Sequence, residues 1–121
     1  DWLKKHLEKH ERYFLLPQET EKSEPSWFGF PILIKDNAPF SLLELNGYLF
    51  SHNVDTRPIF TGNITKQPYF KNKPFRIVGN LDNTDKMMER TFWIGVYPGL
   101  TVDMMEYVVK IIDDFIQFKE Q

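Results

Sequence analysis

Thr91-Phe92-Trp93-Ile94-Gly95-Val96-Tyr97-Pro98-Gly99-Leu100-Thr101 sets out a strand, a turn and a helix start in succession. Residues 92–97 are aromatic and β-branched, as a strand requires, and Pro98-Gly99 closes them with a turn. Thr101 stands where an N-cap belongs. Beyond it Met104, Tyr107, Val108, Ile111, Ile112, Phe115 and Ile116 recur at helical spacing, so the stripe reads as core packing in which the methionines need no special role.

The same alternation continues upstream. Ser41 and Glu44 match a capping box, so a helix is expected there, with Leu42, Leu45 and Leu49 on its apolar face. Gly47 inside it costs about 1 kcal/mol against alanine, and His52-Asn53 ends it. Trp27-Phe28-Gly29-Phe30-Pro31-Ile32-Leu33-Ile34 reads as a strand. Because proline cannot donate to a ladder, this strand either lies at an edge or pairs regularly only from Ile32. Asp36-Asn37-Ala38-Pro39 turns the chain. Residues 54–60 are expected to form another strand, with Pro58 unpaired or at a bulge. Residues 75–78 suggest a short extended piece, and Asp82-Asn83-Thr84-Asp85 offers N-caps for a short helix through Arg90. The sum is an α/β (α+β) sandwich, a small mixed sheet with helices mainly on one face.

At the other end, residues 1–11 read as a helix with Leu3 and Leu7 on one face. Lacking a lead-in, this segment is expected to end a longer interdomain helix over residues 1–15, after a larger domain. Trp2, Tyr13 and Phe14 would then be apolar surface that a missing half covers. Residues 16–25, polar and acidic with prolines, read as an exposed connection.

The 121 residues allow one modest domain, and 41% hydrophobic content with 16% aromatic suffices for a core. A formal charge of −2 gives no footprint for nucleic acid or anionic lipid. With no cysteine, disulfides, thiolate metal sites and iron-sulfur ligation within the chain are excluded. No apolar run reaches the roughly 20 residues that span a bilayer, and a cytoplasmic origin is expected.

Several constellations are weak. His6 and His10 share a helix face but lack a third metal ligand nearby. Asn63-Ile64-Thr65 is formally a glycosylation acceptor, relevant only to a secreted chain. Asp113-Asp114 reads as a solvated helix face, and Trp27 and Trp93 as core aromatics. There is no Gly-rich phosphate loop, nucleophile elbow or triad. Thr56-Arg57-Pro58-Ile59-Phe60-Thr61-Gly62-Asn63-Ile64-Thr65-Lys66-Gln67-Pro68-Tyr69-Phe70 is more particular. It sets polar and aromatic groups beside glycine and proline at a strand end, where binding loops sit.

That run, the Trp27-Phe28-Gly29-Phe30-Pro31 strand, Asn83-Thr84-Asp85 and residues 91–100 together resemble the C-terminal domain of DegT/DnrJ/EryC1/StrS family sugar-nucleotide enzymes. The likeness covers nearly the whole chain. Within the family it is most similar to the CDP-4-keto-6-deoxy-D-glucose 3-dehydrase branch, through the patterns TRPxFxGNxTxQP and FWxGxYPGL. The resemblance implies the small domain of the fold-type I aspartate aminotransferase fold. The large domain, absent here, would hold pyridoxal or pyridoxamine phosphate and, in the dehydrase branch, an iron-sulfur cluster. It implies a homodimeric enzyme acting on a CDP-linked deoxy sugar in lipopolysaccharide biosynthesis, with this domain inactive alone and no catalytic residue or metal in it.

Carried over residue by residue, the resemblance places Arg57, Phe60, Gly62, Asn63, Thr65 and Gln67 on a loop facing the substrate cleft. Arg57 would clamp phosphate oxygens. Asn63, Thr65 and Gln67 would hydrogen-bond hexose or nucleotide, Gly62 would allow close approach, and Phe60 or Tyr69 would stack on base or sugar. The competing reading gives Arg57 a solvated or salt-bridged place and gives Thr65 and Gln67 local structural roles. Arg90 is a further phosphate candidate that reads more simply as a helix-end charge. Two other functions stay open: a sugar aminotransferase of the same family, separated by a lysine in place of histidine in the large domain, and a free-standing binding module without catalysis.

Overall fold

In the computed structural model, which describes residues 2–121, the Phe92-Trp93-Ile94 run lies inside the sheet. The elements in chain order are α1 (Trp2–Leu7), β1 (Phe14–Leu15), β2 (Gly29–Ile34), α2 (Leu42–Ser51), β3 (Thr56–Pro58), α3 (Asp82–Arg90), β4 (Thr91–Gly95) and α4 (Val102–Lys119). Short 3-10 turns occupy Glu8–His10, Ile64–Lys66 and Pro68–Phe70. The sheet order is β1-β2-β4-β3. The α+β class holds, but the sheet is antiparallel at every pairing rather than mixed. The α2 crossover does leave β2 and β3 running the same way. β4 inserts between them antiparallel to both, so the parallel pair never shares a ladder.

Alternation sorts the strands. Phe30, Ile32 and Ile34 of β2 and Phe92 and Ile94 of β4 are buried, and they join Leu3, Leu7, Leu45, Leu49, Ile112 and Phe115 from the helices in one core. Pro31, Trp93 and Arg57, which share a register row, therefore project from the opposite face. α3 meets that sheet at its Thr91 end, where Thr91 Oγ1 donates to Met87 Sδ at 3.5 Å.

The capping box forms as its residues dictate. Glu44 N–H donates to Ser41 Oγ at 3.2 Å and Ser41 N–H to Glu44 Oε2 at 2.7 Å. Lys119 Nζ then binds the second carboxylate oxygen of Glu44 at 2.5 Å, tying α4 to α2. The Lys119 hydrogen bond, followed by those from Ser41, pulls the Glu44 pKa down to about 2. Thr101 Oγ1 likewise accepts from Met104 N–H at 3.3 Å.

Elsewhere tertiary contacts override local pattern. The expected helix over residues 1–15 stops early: α1 ends at Leu7, one 3-10 turn follows, and Phe14–Leu15 pairs with Leu33 and Ile34 as an edge strand. Its first residue, Asp1, lies outside the described residues. Tyr13 and Phe14 are buried rather than left as open surface, edge-to-face on Phe40 at 5.8 and 6.1 Å. Burying two aromatic rings outweighs continuing a short charged helix. Pro31 is tolerated because β1 reaches only Leu33 and Ile34, leaving that half of β2 open on one side. β3 is shorter than expected because Val54 is already in the core, and Pro58 ends it at the sheet edge. Residues 75–78 form no strand and stay exposed. On α4 the core stripe begins later than its spacing suggests: Met104 and Tyr107 are 50% and 44% exposed, since the first turns of the helix overhang the end of β4 beside a cavity. No described helix is long and apolar enough to cross a membrane.

Candidate functional site

Arg57 lies on the edge strand opposite Trp93, so both side chains leave the sheet on the face away from the main core. Its guanidinium is well exposed and pairs with the equally open Asp55 at 2.8 Å. Such a surface pair is worth about 0–1 kcal/mol, so an anionic ligand competes for it readily.

After Pro58 the chain bends sharply. Phe60 adopts φ 42°, a left-handed conformation that costs a residue with a Cβ free energy. Two backbone hydrogen bonds hold it there, Phe60 N–H to Pro58 O at 2.8 Å and Gly62 N–H to Ile59 O at 3.0 Å. The bend turns the Phe60 ring toward Phe28: the ring centroids are 6.3 Å apart with planes 23° from parallel. Trp93 lies 5.2 Å from Phe28 and 6.5 Å from Phe60, its indole N–H donating to Pro58 O at 3.2 Å. Between these rings, Trp27, Pro31 and Ile59 is a cleft of about 190 Å3. Trp27 and Trp93 are thus half-buried and not core residues. Trp93 leaves β4 on the side that the helices leave open, while Trp27, two residues before β2, stands between this cleft and one bordered by Trp2, Leu3 and Phe30.

The following loop is pinned to α3. Gly62 has φ 59°, and a Cβ there would stand 2.6 Å from Met88 Cβ, so glycine serves close packing as well as conformation. Asn63 is 2% exposed. Its Oδ1 accepts from Thr65 N–H at 3.0 Å and from Thr65 Oγ1 at 2.6 Å, and its Nδ2 donates to Asp85 Oδ1 at 2.6 Å. The Asn63 donation, reinforced by Lys66 at 2.9 Å, holds the Asp85 carboxyl below its usual range. The same ion pair raises Lys66. Gln67 Nε2 donates to Thr61 O at 2.7 Å. Among the residues singled out in the sequence, then, Arg57 and Phe60 present their side chains outward, while Gly62, Asn63, Thr65 and Gln67 make contacts within the loop or to α3. Tyr69 is exposed but stands against Phe70 and Lys73. Arg90 binds Asp36 at 3.4 Å and Lys35 O at 3.3 Å.

Sequence reasoning misses Phe28 and Trp93 as site residues. Strand parity could have found Trp93, since Phe92 and Ile94 face the core, but it would count Phe28 with Phe30 and Ile32 on the core side; the bend at Phe28, just before β2, is what brings that ring to Trp93. The histidines are engaged separately: His6 bonds Trp2 O at 2.8 Å, and His10 joins Asp113 at 2.6 Å, as does Lys9. Among the described residues no cluster of three or more His, Cys, Asp or Glu side chains could hold a metal. A cavity of about 490 Å3 between Ile94, Leu100, Met104 and Tyr107 is mainly apolar, and its charged lining residues are Asp55 and Asp103. Among the described residues no cation lines it, so a phosphorylated ligand finds no partner there, and the Arg57 face is the better candidate.

The sequence profile of the DegT/DnrJ/EryC1/StrS aminotransferase family matches residues 1–113. This chain belongs to that family. It is 46% identical over 114 residues to the lipopolysaccharide biosynthesis protein RfbH of Salmonella typhimurium, covering 94% of this chain and 26% of RfbH. It is 48% identical over 102 residues to the dTDP-4-dehydro-2,6-dideoxy-D-glucose 3-dehydratase of Saccharopolyspora spinosa, covering 84% and 22%. The chain therefore spans about a quarter of the length of the curated relatives it matches. Among solved structures, GDP-4-keto-6-deoxy-D-mannose-3-dehydratase of Escherichia coli with bound hydrated PLP superposes with a TM-score of 0.81 at 27% identity, over 91% of this chain and 28% of that one. The aminotransferase from Psychrobacter cryohalolentis superposes with a TM-score of 0.86 at 19% identity, over 98% and 33%. That second likeness shows the fold alone: this DegT/DnrJ/EryC1/StrS chain has the architecture of one part of an aminotransferase-fold enzyme.

Proposed function

We propose that residues 1–121 form the C-terminal small domain of a nucleotide-sugar 3-dehydratase, which closes the active site and grips a nucleotide-linked 4-keto-deoxyhexose. The observation that carries this reading is the joint exposure of Arg57 and the Phe28/Phe60 rings on one sheet face. A guanidinium held only by an exposed aspartate and the neighbouring Thr56 carbonyl suits a diphosphate. Similarity to 3-dehydratases acting on dTDP- and GDP-linked sugars supports the substrate class, and a CDP-linked sugar is the form the motif patterns favour. Gly62 and Asn63 set the loop's shape, while Thr65 and Gln67 keep acceptor capacity for sugar hydroxyls. Substrate loss to water is limited when such a domain closes.

Pyridoxal phosphate, an electron sink when bound, is named in the E. coli relative's structure. In this reading the cofactor and the bond-breaking step belong to a large domain of a cytoplasmic, homodimeric enzyme, and the exposed Arg57 face supplies grip on the substrate; Lys66, held by Asp85 and Glu89, serves the loop. The test is Arg57→Ala and Arg57→Lys in the intact enzyme. Loss of charge-assisted hydrogen bonds predicts a fall of about tenfold to a hundredfold in kcat/KM for alanine, a smaller one for lysine, and unchanged thermal stability. Wild-type kinetics in Arg57→Ala would remove the arginine from the site.

A further inference from the structure

We infer that Phe28 and Phe60 form a two-sided slot, floored by Trp93, that takes the planar base of a nucleoside diphosphate; this rests on the nucleotide-sugar reading above. Three independent features of the fold converge on it.

The first is spacing. The ring centroids are 6.3 Å apart with planes 23° from parallel, and both rings line the same cleft, while a flat ring stacked on both sides needs about 7 Å, two carbon contacts of about 3.5 Å each. Rotation of two exposed phenyl rings about their own side-chain bonds supplies the remainder. At 74% and 75% exposure, neither ring is held by core packing.

The second is backbone cost. Phe60 is placed by a left-handed φ of 42°, where glycine would fit more easily. A bulky residue in that conformation directs its ring over the strand and so completes the pair. The fold holds this geometry with hydrogen bonds on both sides of the residue.

The third is the floor. Gly29 leaves room for Trp93 to lie flat: a Cβ at residue 29 would stand 2.2 Å from Trp93 Cε3. The indole is fixed by its bond to Pro58 O, and Arg57 stands beside it in register on β3. A base in the slot would send its diphosphate toward that guanidinium. The cleft of about 190 Å3 accommodates a base but not a whole nucleotide sugar, whose hexose would continue outward. Stacking reads a ring's face rather than its edge, so the slot supplies affinity for the base with little choice among bases.

The test compares CDP, dTDP, GDP and inorganic pyrophosphate as ligands of the intact enzyme by calorimetry, in wild type, Phe28→Ala, Phe60→Leu and Phe60→Gly. Each variant is expected to weaken all three nucleoside diphosphates by about tenfold and to leave pyrophosphate unchanged. Phe60→Gly relieves the left-handed strain and Phe60→Leu keeps it, so a loss of affinity shared by the two follows the missing ring and not the backbone. Nucleoside diphosphates that bind the variants as tightly as wild type would overturn the slot and leave the Arg57 reading standing. Equal weakening of pyrophosphate would also overturn it. Failure of wild type to bind any nucleoside diphosphate would end both.

Discussion

Replacing Asn63 by alanine should loosen the loop that carries the site while leaving the main core intact. Asn63 is 2% exposed and serves three partners: the Thr65 amide at 3.0 Å, the Thr65 hydroxyl at 2.6 Å and Asp85 at 2.6 Å. Losing a capping oxygen costs about 1 kcal/mol. That same loss strands the Thr65 amide, which sets the range at about 1–3 kcal/mol. The cost falls on opening of the 59–67 segment and less on global unfolding, because Leu45, Ile112 and Phe92 do not depend on it. Amide exchange resolved by residue reads this directly: Thr65 and Lys66 should exchange on the order of fivefold to a hundredfold faster in the variant, while Ile94 and Ile112 stay protected. Asn63→Asp should be worse at neutral pH, since it sets a second carboxylate against Asp85. Unchanged exchange at Thr65, or a stable Asn63→Asp variant, would refute the idea that Asn63 anchors the loop.

Other perturbations follow from single contacts. Gly29→Ala should cost about 1–3 kcal/mol by overpacking and shift tryptophan emission as Trp93 is displaced, whereas Gly95→Ala, its register partner with open space around it, should be tolerated; equal effects in denaturant titration would contradict the close approach. Gly62→Ala should destabilise by more than about 1 kcal/mol in denaturant titration, because φ 59° and Met88 both oppose a Cβ, and a wild-type midpoint would contradict that packing. Glu44 has its pKa lowered to about 2 from 4.5. Its contribution is therefore complete above pH 4.5 and is lost as pH falls toward 2. Glu44→Gln should flatten the dependence of Tm on pH across that window, and an unaltered slope would show that the Lys119 and Ser41 contacts do not matter in solution.

The parts of the fold legible in the sequence are those governed by contacts near in the chain. The Ser41 and Thr101 caps, the α2 face and the β4 strand all follow from neighbours within one or two turns. What stayed hidden depends on distant partners. Phe14 leaves the helical pattern because β2 and Phe40 offer it a buried place, and strand direction is set by where β4 inserts. The site divides in the same way. The motif match drew attention to residues 57–67, but the division between outward groups and loop braces needed coordinates: Asn63 is buried by α3, twenty-odd residues further along, and no local signal announces Asp85 as its partner. Trp93 reads as an ordinary strand aromatic because its face depends on which side the helices cover, and Phe28 because the bend before β2 that turns it to that face has no local signal.

The most direct measurement of the central claim is amide exchange on the intact enzyme, with and without saturating CDP-linked or dTDP-linked 4-keto-6-deoxyhexose. If this domain grips the substrate, residues 57–62 and the backbone at Phe28 will slow on binding while α2 and the exposed residues 71–80 will not. Protection confined to other parts of the enzyme, with residues 57–62 exchanging as in the free state, would contradict it.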